Sequence, residues 1–274
     1  MRRQVSIAVF IVIMAWINVV CASVLPQVNA EAAVVMRASD KRVVYAKNPD
    51  SIMYPASTTK IMTLITALEQ GDPDSAIVVS PKAAGCEGSS LDLRAGDRLT
   101  LREALYGLML VSGNDAAEAV AENVAGSVPA FVKMMNDKAE KIGTISTHFS
   151  NPHGLPDPVN HFTTAYDLAL MTVYGMQNPV FASIVSTRDY DVHFLSRGGI
   201  THARNTNKLL STYTGANGVK TGFTNAAGEC LVAAAKRNDV QLIAVVLNSE
   251  RRWEDATRLL NYGFQQLEYR ESKE

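Results

Sequence analysis

Three short clusters in this chain carry side chains able to do chemistry: Ser57-Thr58-Thr59-Lys60, Ser112-Gly113-Asn114 and Lys220-Thr221-Gly222. A serine hydroxyl is a poor nucleophile until a neighbour takes its proton. An amine can take it when burial or a nearby positive charge keeps that amine neutral. Ser57 and Lys60 are three positions apart at a predicted helix start, so their side chains share a face. Lys220, brought to the same pocket, would supply the positive charge, and the helix N-terminus would favour negative charge on an attacked carbonyl. Ser112 and Asn114 end one apolar run and begin another, which places two polar side chains deep in the domain. There Ser112 can relay a proton to a leaving amine and Asn114 can orient a scissile amide. Lys220, Thr221 and Gly222 lie on a predicted edge strand, where an extended peptide ending in a carboxylate would find a cation, a hydroxyl and room to approach. Each cluster by itself also reads as ordinary capping or as a hairpin strand. No other serine in the chain is followed by lysine three residues later.

The elements that must position these groups are legible as changes of period. Ala32 to Arg37 and Arg42 to Ala46 are β-rich runs joined by a turn at Ser39-Asp40-Lys41. Ser57 to Glu69 has helical spacing, and a Gly-, Asp- and Ser-rich loop runs from Gly71 to Asp97. Helices are predicted over Leu101 to Val111, Asp115 to Val124, Val128 to Ile142 and Thr163 to Tyr174, the last capped by Thr163 or Thr164. Prolines and glycine force a loop from Asn151 to His161. Short strands follow at Val219 to Phe223, Cys230 to Ala235 and Leu242 to Asn248, then a helix from about Arg252 to Leu267. Strands at both ends and helices between them predict an α+β, three-layer domain in which the ends meet in one antiparallel sheet.

With 274 residues, 47% of them hydrophobic, and a net charge of -1, the composition is that of a globular protein without the basic excess that nucleic acid demands. Arg2 and Arg3 precede an apolar run from Val5 to Val20, and small residues follow at Val28-Asn29-Ala30. That layout is a secretory signal over residues 1–30 with cleavage after Ala30. A retained N-terminal membrane anchor is the alternative, although the run is slightly short for a span. The protein is therefore expected outside the cytoplasmic membrane, secreted or peripherally held. Removing the signal leaves Cys86 and Cys230, whose pairing the sequence leaves open.

The three clusters, in this order, resemble those of the penicillin-recognising serine enzymes, and more closely the low-molecular-weight D-alanyl-D-alanine carboxypeptidases. The resemblance extends through Tyr54-Pro55-Ala56-Ser57, Gly88-Ser89-Ser90, Asn114-Asp115-Ala116, His153-Gly154-Leu155, Thr164 to Ala169, Asn205-Thr206-Asn207 and Gly218 to Thr224. It implies a five-stranded antiparallel sheet flanked by helices plus a helical subdomain, with the site in the cleft between them. One domain is expected over residues 31–274, with a helical insertion at about 100–180; the second, β-rich C-terminal domain that members of this family often carry is not expected here. By the same resemblance Ser57 attacks the bond between the terminal D-alanines of a peptidoglycan stem peptide, Lys60 is the base and Ser112 returns the proton. Asn114, Lys220, Thr221, Gly222 and Phe223 would bind substrate, with the backbone N–H groups of Ser57 and Phe223 as the oxyanion hole. Arg252, with Arg251 as a rival, would help hold the terminal carboxylate. β-Lactams would be covalent inhibitors, and neither cofactor nor metal is expected.

His153, Asp157 and His161 have helical metal spacing, but Pro156 and Pro158 prevent that helix. His148, His193 and His202 read as surface or core residues. A class A β-lactamase is the nearest enzyme rival; its deacylating glutamate motif, Glu-x-x-Leu-Asn, is missing between Asp115 and Lys220. A DD-endopeptidase or transpeptidase shares the acyl-enzyme chemistry, and a non-catalytic β-lactam sensor would share only the fold.

Overall fold

The computed structural model describes residues 25–271, with side chains through residue 268. The secretory signal read from the sequence therefore lies mostly outside the described residues. In chain order the elements are β1 (Ala32–Arg37), β2 (Val43–Lys47), a 3-10 turn (Ala56–Thr59), α1 (Lys60–Gln70), β3 (Ala76–Val78), α2 (Pro81–Ala84) and β4 (Arg98–Thr100). Then come α3 (Leu101–Leu110), α4 (Asn114–Ala125), α5 (Val128–Ile142), α6 (Ala165–Gly175) and α7 (Pro179–Ser186). The last third holds β5 (Asp189–His193), β6 (Ile200–Arg204), α8 (Leu209–Thr212), β7 (Ala216–Thr224), β8 (Gly228–Arg237), β9 (Val240–Leu247) and α9 (Arg252–Glu271).

The main sheet is antiparallel with strand order β2-β1-β9-β8-β7. N-terminal and C-terminal strands meet where β1 pairs with β9, Val34 opposite Val245. Alternation along the central strands sorts their side chains onto two faces. Val34, Met36, Val232, Ala234, Ile243 and Val245 pack into the core shared with Ile61, Leu64 and Leu168. Ala33, Val35, Leu231, Ala233, Ala244 and Val246 pack with Ala256, Leu259, Leu260 and Phe264 of α9. Helix, sheet, helix is the three-layer arrangement expected from the sequence, and β7 stands at its edge.

Two local details differ from the sequence reading, and a third decides between two residues it left open. The segment expected to be loop from Gly71 to Asp97 contains β3 and α2, and β3 pairs with β4 as a small hairpin. Only Ile77 of β3 is buried, and the three residues Ala76, Ile77 and Val78 are all apolar, too short and too uniform a run to show a period. A second hairpin, β5–β6, fills the stretch between α7 and α8. Thr164, rather than Thr163, caps α6 by accepting from the Asp167 N–H at 3.0 Å.

Candidate active site

The nucleophile turn is built from its own hydroxyls. Thr58 Oγ1 donates to the Pro55 carbonyl at 2.6 Å and Thr59 Oγ1 to the Ala56 carbonyl at 2.8 Å. Ala56 has φ +47°, an uncommon conformation for a residue with a side chain. Ser57 therefore sits on a 3-10 turn and α1 begins at Lys60, three residues later than the spacing predicts. A tight first turn of this kind is common at helix starts.

Lys60 is fully buried and its amine has three near neighbours: Asn114 Oδ1 at 2.6 Å, the His153 carbonyl at 2.8 Å and Ser57 Oγ at 3.2 Å. Burial pushes the amine well below the usual lysine range, and the positive charge of Lys220 pushes it further. A neutral amine has two N–H donors and one lone pair. The two carbonyl-type oxygens take both donors, which leaves the lone pair for the Ser57 hydroxyl. This arrangement gives a base aimed at a nucleophile.

Asn114 is the first residue of α4, and Gly113 is the cap. The sequence reading gave Asn114 the capping role and placed it against the scissile amide. Gly113 takes the capping role, and the Asn114 side chain meets Lys60 and, through Nδ2, the Glu87 carbonyl at 2.6 Å. Ser112 has φ +65°, is buried, and its hydroxyl has no hydrogen-bond partner among the described residues. An unpartnered buried hydroxyl in a strained conformation is available to a reacting molecule.

Lys220 is also buried, donates to the Thr221 carbonyl at 3.0 Å, and is held down to about 7 by burial and then by Arg252. Thr221 Oγ1 lies 2.7 Å from Thr206 Oγ1. Gly222 faces the nucleophile turn closely: a Cβ there would lie 3.1 Å from the Pro55 carbonyl oxygen and 3.2 Å from the Ser57 nitrogen. Phe223 follows on the exposed side of the strand, 60% accessible. Arg252 reaches across to β7 and β8, donating to the Gly222 carbonyl at 2.9 Å, with Glu229 3.5 Å away. Its rival Arg251 is exposed and paired with Glu254.

Sequence reasoning missed several supporting groups. Asp115 accepts from Ser90 Oγ at 2.7 Å and from the N–H groups of Leu91 and Leu93, which fixes the loop beside Asn114. His153 acts through its main-chain carbonyl, a contact that no side-chain pattern announces. Gly154, at φ +94°, passes so near the nucleophile turn that a Cβ would lie 1.8 Å from the Ala56 oxygen. Thr59 Oγ1 and His161 Nε2 are 2.8 Å apart, and His153 Nε2 faces Glu118, so the two histidines serve different neighbours. His148, His193 and His202 are exposed. Cys86 and Cys230 are free thiols.

Comparison with known proteins shows what the chain as a whole is similar to. The family model described as D-alanyl-D-alanine carboxypeptidase matches residues 19–251. The carboxypeptidase DacF of Bacillus subtilis is 36% identical over 254 residues, 88% of this chain and 63% of that protein. The D-alanyl-D-alanine carboxypeptidase of Streptomyces sp. (strain K15) is 35% identical over 87% of this chain and 88% of its own length. Among solved structures, the Streptomyces K15 DD-transpeptidase superposes with a TM-score of 0.83 at 34% identity, covering 88% of this chain and 98% of that one.

Proposed function

The chain belongs to the D-alanyl-D-alanine carboxypeptidase family of serine hydrolases, and on that premise we propose that it removes the terminal D-alanine from peptidoglycan stem pentapeptides. The observation that carries the reading is the buried Lys60 amine, 3.2 Å from Ser57 Oγ with its other hydrogen-bonding directions taken.

Ser57 Oγ attacks the penultimate D-alanine carbonyl as its proton passes to Lys60. The oxyanion is met by the backbone N–H groups of Ser57 and Phe223, a feature worth about 3 kcal/mol per donor. Lys220, Thr221 and Arg252 hold the terminal carboxylate, charge-assisted contacts stronger than neutral ones. Collapse of the tetrahedral intermediate expels D-alanine, whose nitrogen receives a proton through Ser112. Water then hydrolyses the ester, with Lys60 again the base. Penicillin enters the same sequence, acylates Ser57 and stays. The work is done outside the cytoplasmic membrane, after export or tethering by residues 1–30.

Labelling with a fluorescent penicillin, with Ser57→Ala as control, tests the nucleophile. Label retained by the variant would overturn the assignment. Synthetic pentapeptide, with and without an acceptor amine, tests the reaction: release of D-alanine without acceptor transfer is expected. Transfer as the dominant product would make the enzyme a transpeptidase, and rapid turnover of a chromogenic cephalosporin would make it a β-lactamase.

A further inference from the structure

The His153 residue whose carbonyl accepts from Lys60 also presents its imidazole to two side chains that the acylation chemistry leaves unused. Cys86 Sγ, a Glu118 carboxylate oxygen and a His153 ring nitrogen lie within 4.8 Å of one another. Glu118 and His153 are buried to more than nine-tenths, and Cys86 is half-buried. His153 Nε2 is 3.3 Å from Glu118 Oε1. The other carboxylate oxygen is paired at 2.9 Å with Lys82, whose side chain is 67% exposed. A thiol, a carboxylate and an imidazole therefore converge around one spot; among the described residues the cation paired with the carboxylate is a lysine that lies largely in water, and Lys60 acts on Cys86 and His153 through its charge.

We infer that Cys86, Glu118 and His153 form a regulatory binding site for a divalent ion of the zinc type. Sulfur and imidazole nitrogen favour zinc over magnesium or calcium, which prefer oxygen donors. Three protein ligands and one water complete a tetrahedral shell with bonds of about 2.0–2.3 Å. Ligand atoms in such a shell stand about 3.3–3.8 Å apart, so the cluster needs to contract by about 1 Å. Binding releases the Cys86 thiol proton to solvent. The resulting thiolate and the Glu118 carboxylate balance the charge of the ion, and Lys82 is displaced.

Occupation of this site is coupled to Lys60. The Leu155 N–H donates to His153 Nδ1 at 3.2 Å, which assigns the ring proton to Nε2, facing Glu118. An ion at Nε2 moves that proton to Nδ1 and sets two donors against each other. The His153-Gly154-Leu155 turn must then shift. That turn supplies one of the two carbonyl-type acceptors of the Lys60 amine, and Gly154 packs directly on Ala56 and Ser57. Metal binding consequently slows acylation.

The test uses the full, reduced protein. Titration with Co2+ should give one equivalent bound per chain, with a thiolate-to-cobalt charge-transfer band. Titration with Zn2+ should slow fluorescent-penicillin acylation by about tenfold or more, reversed by EDTA, as expected when a general base is disturbed. Cys86→Ser should lose both effects while acylating at the wild-type rate without metal. Should that variant fold poorly, alkylation of wild-type Cys86 gives the same information, since Zn2+ should protect this thiol. Absence of the cobalt band, inhibition that survives in Cys86→Ser, or binding without any change in rate overturns the proposal. If the metal-free wild type does not acylate at all, the carboxypeptidase reading fails, and the cobalt band still reports on the site.

Discussion

Asn114 Oδ1 accepts a hydrogen bond from Lys60 Nζ at 2.6 Å, while its Nδ2 is held by the Glu87 carbonyl at 2.6 Å. The second bond fixes which end of the amide faces the lysine. In the proposed mechanism Asn114 is thus a positioning residue for the base. Replacing it with Ala removes the acceptor, lets the amine turn away from Ser57, and should slow acylation about 100-fold with the fold intact. Asn114→Asp keeps the shape but adds a negative charge beside the amine, which raises its proton affinity. The rising limb of the acylation–pH profile should then move to higher pH. An unmoved limb in Asn114→Asp would mean that the titrating base is not Lys60.

The two buried lysines predict a bell-shaped profile. Lys60 must be neutral to act, and burial with the Lys220 charge holds it well below the ordinary range. Lys220 must be charged to hold a carboxylate, and burial with Arg252 brings it down to about 7. In the free enzyme kcat/KM for an anionic peptide should therefore rise as Lys60 deprotonates and fall as pH passes about 7. Lys220→Arg keeps its charge throughout and should abolish the falling limb. A limb at the same pH in that variant would assign it elsewhere.

The same shift has a consequence for stability. The folded chain releases the Lys220 proton near 7, whereas an unperturbed lysine releases it near 10.5. Between those values the unfolded state binds more protons, so this group's contribution to stability rises with pH. Below about 7 the buried charge is at its most unfavourable. Lys220→Met should thus raise stability by about 1–4 kcal/mol, more at pH 6 than at pH 9, while removing activity on carboxylate-ended peptides. Calorimetric melting at the two pH values checks the sign.

How much of this could be read from the chain follows from where the signals reside. Ser57, Lys60 and Lys220 announce themselves because their spacing and their neighbours are unusual for surface residues. The central strands announce themselves as unbroken apolar runs, buried on both faces, as at Val34 and Val35 on opposite faces of β1. The β5–β6 hairpin does not, because Val192 and Ala203 are its only fully buried residues and no period emerges. The Lys60 acceptor on His153 is a main-chain carbonyl, which leaves no mark on residue type. Asn114 misled for a related reason: its residue type suits a cap, and only tertiary contact with Lys60 redirects it. The cluster of Cys86, Glu118 and His153 joins three segments distant in sequence, so no spacing rule reaches it.

Arg252 links β7, the strand proposed to hold the carboxylate, to α9 by donating to the Gly222 carbonyl at 2.9 Å. Removing it with Arg252→Leu deletes a charge-assisted hydrogen bond of about 1.5–3 kcal/mol, or roughly ten- to a hundredfold in kcat/KM for carboxylate-ended substrates. It also deletes the positive charge that helps lower Lys220. The falling limb of the pH profile should then shift upward, a change that simple loss of packing would not produce. Reduced rate with an unshifted limb would leave Arg252 as a brace for β7 alone.

Two glycines near Ser57 separate the shape of the site from the strain of its backbone. At Gly222 a methyl group would meet Pro55 and Ser57 at 3.1 Å and 3.2 Å, contacts tight enough to push β7 outward by a fraction of an ångström. The Phe223 N–H moves with the strand, so Gly222→Ala should fold normally yet weaken one oxyanion donor, lowering acylation by about 100-fold. At Gly154 the same methyl would sit 1.8 Å from a backbone oxygen, at φ +94°. Neither the Ala56 carbonyl nor the φ angle can yield cheaply, so Gly154→Ala should destabilise the fold by more than about 1 kcal/mol. Melting temperature and acylation rate, measured together on the two variants, should change in opposite proportion. A Gly222→Ala protein that labels with penicillin at the wild-type rate would remove β7 from the oxyanion site.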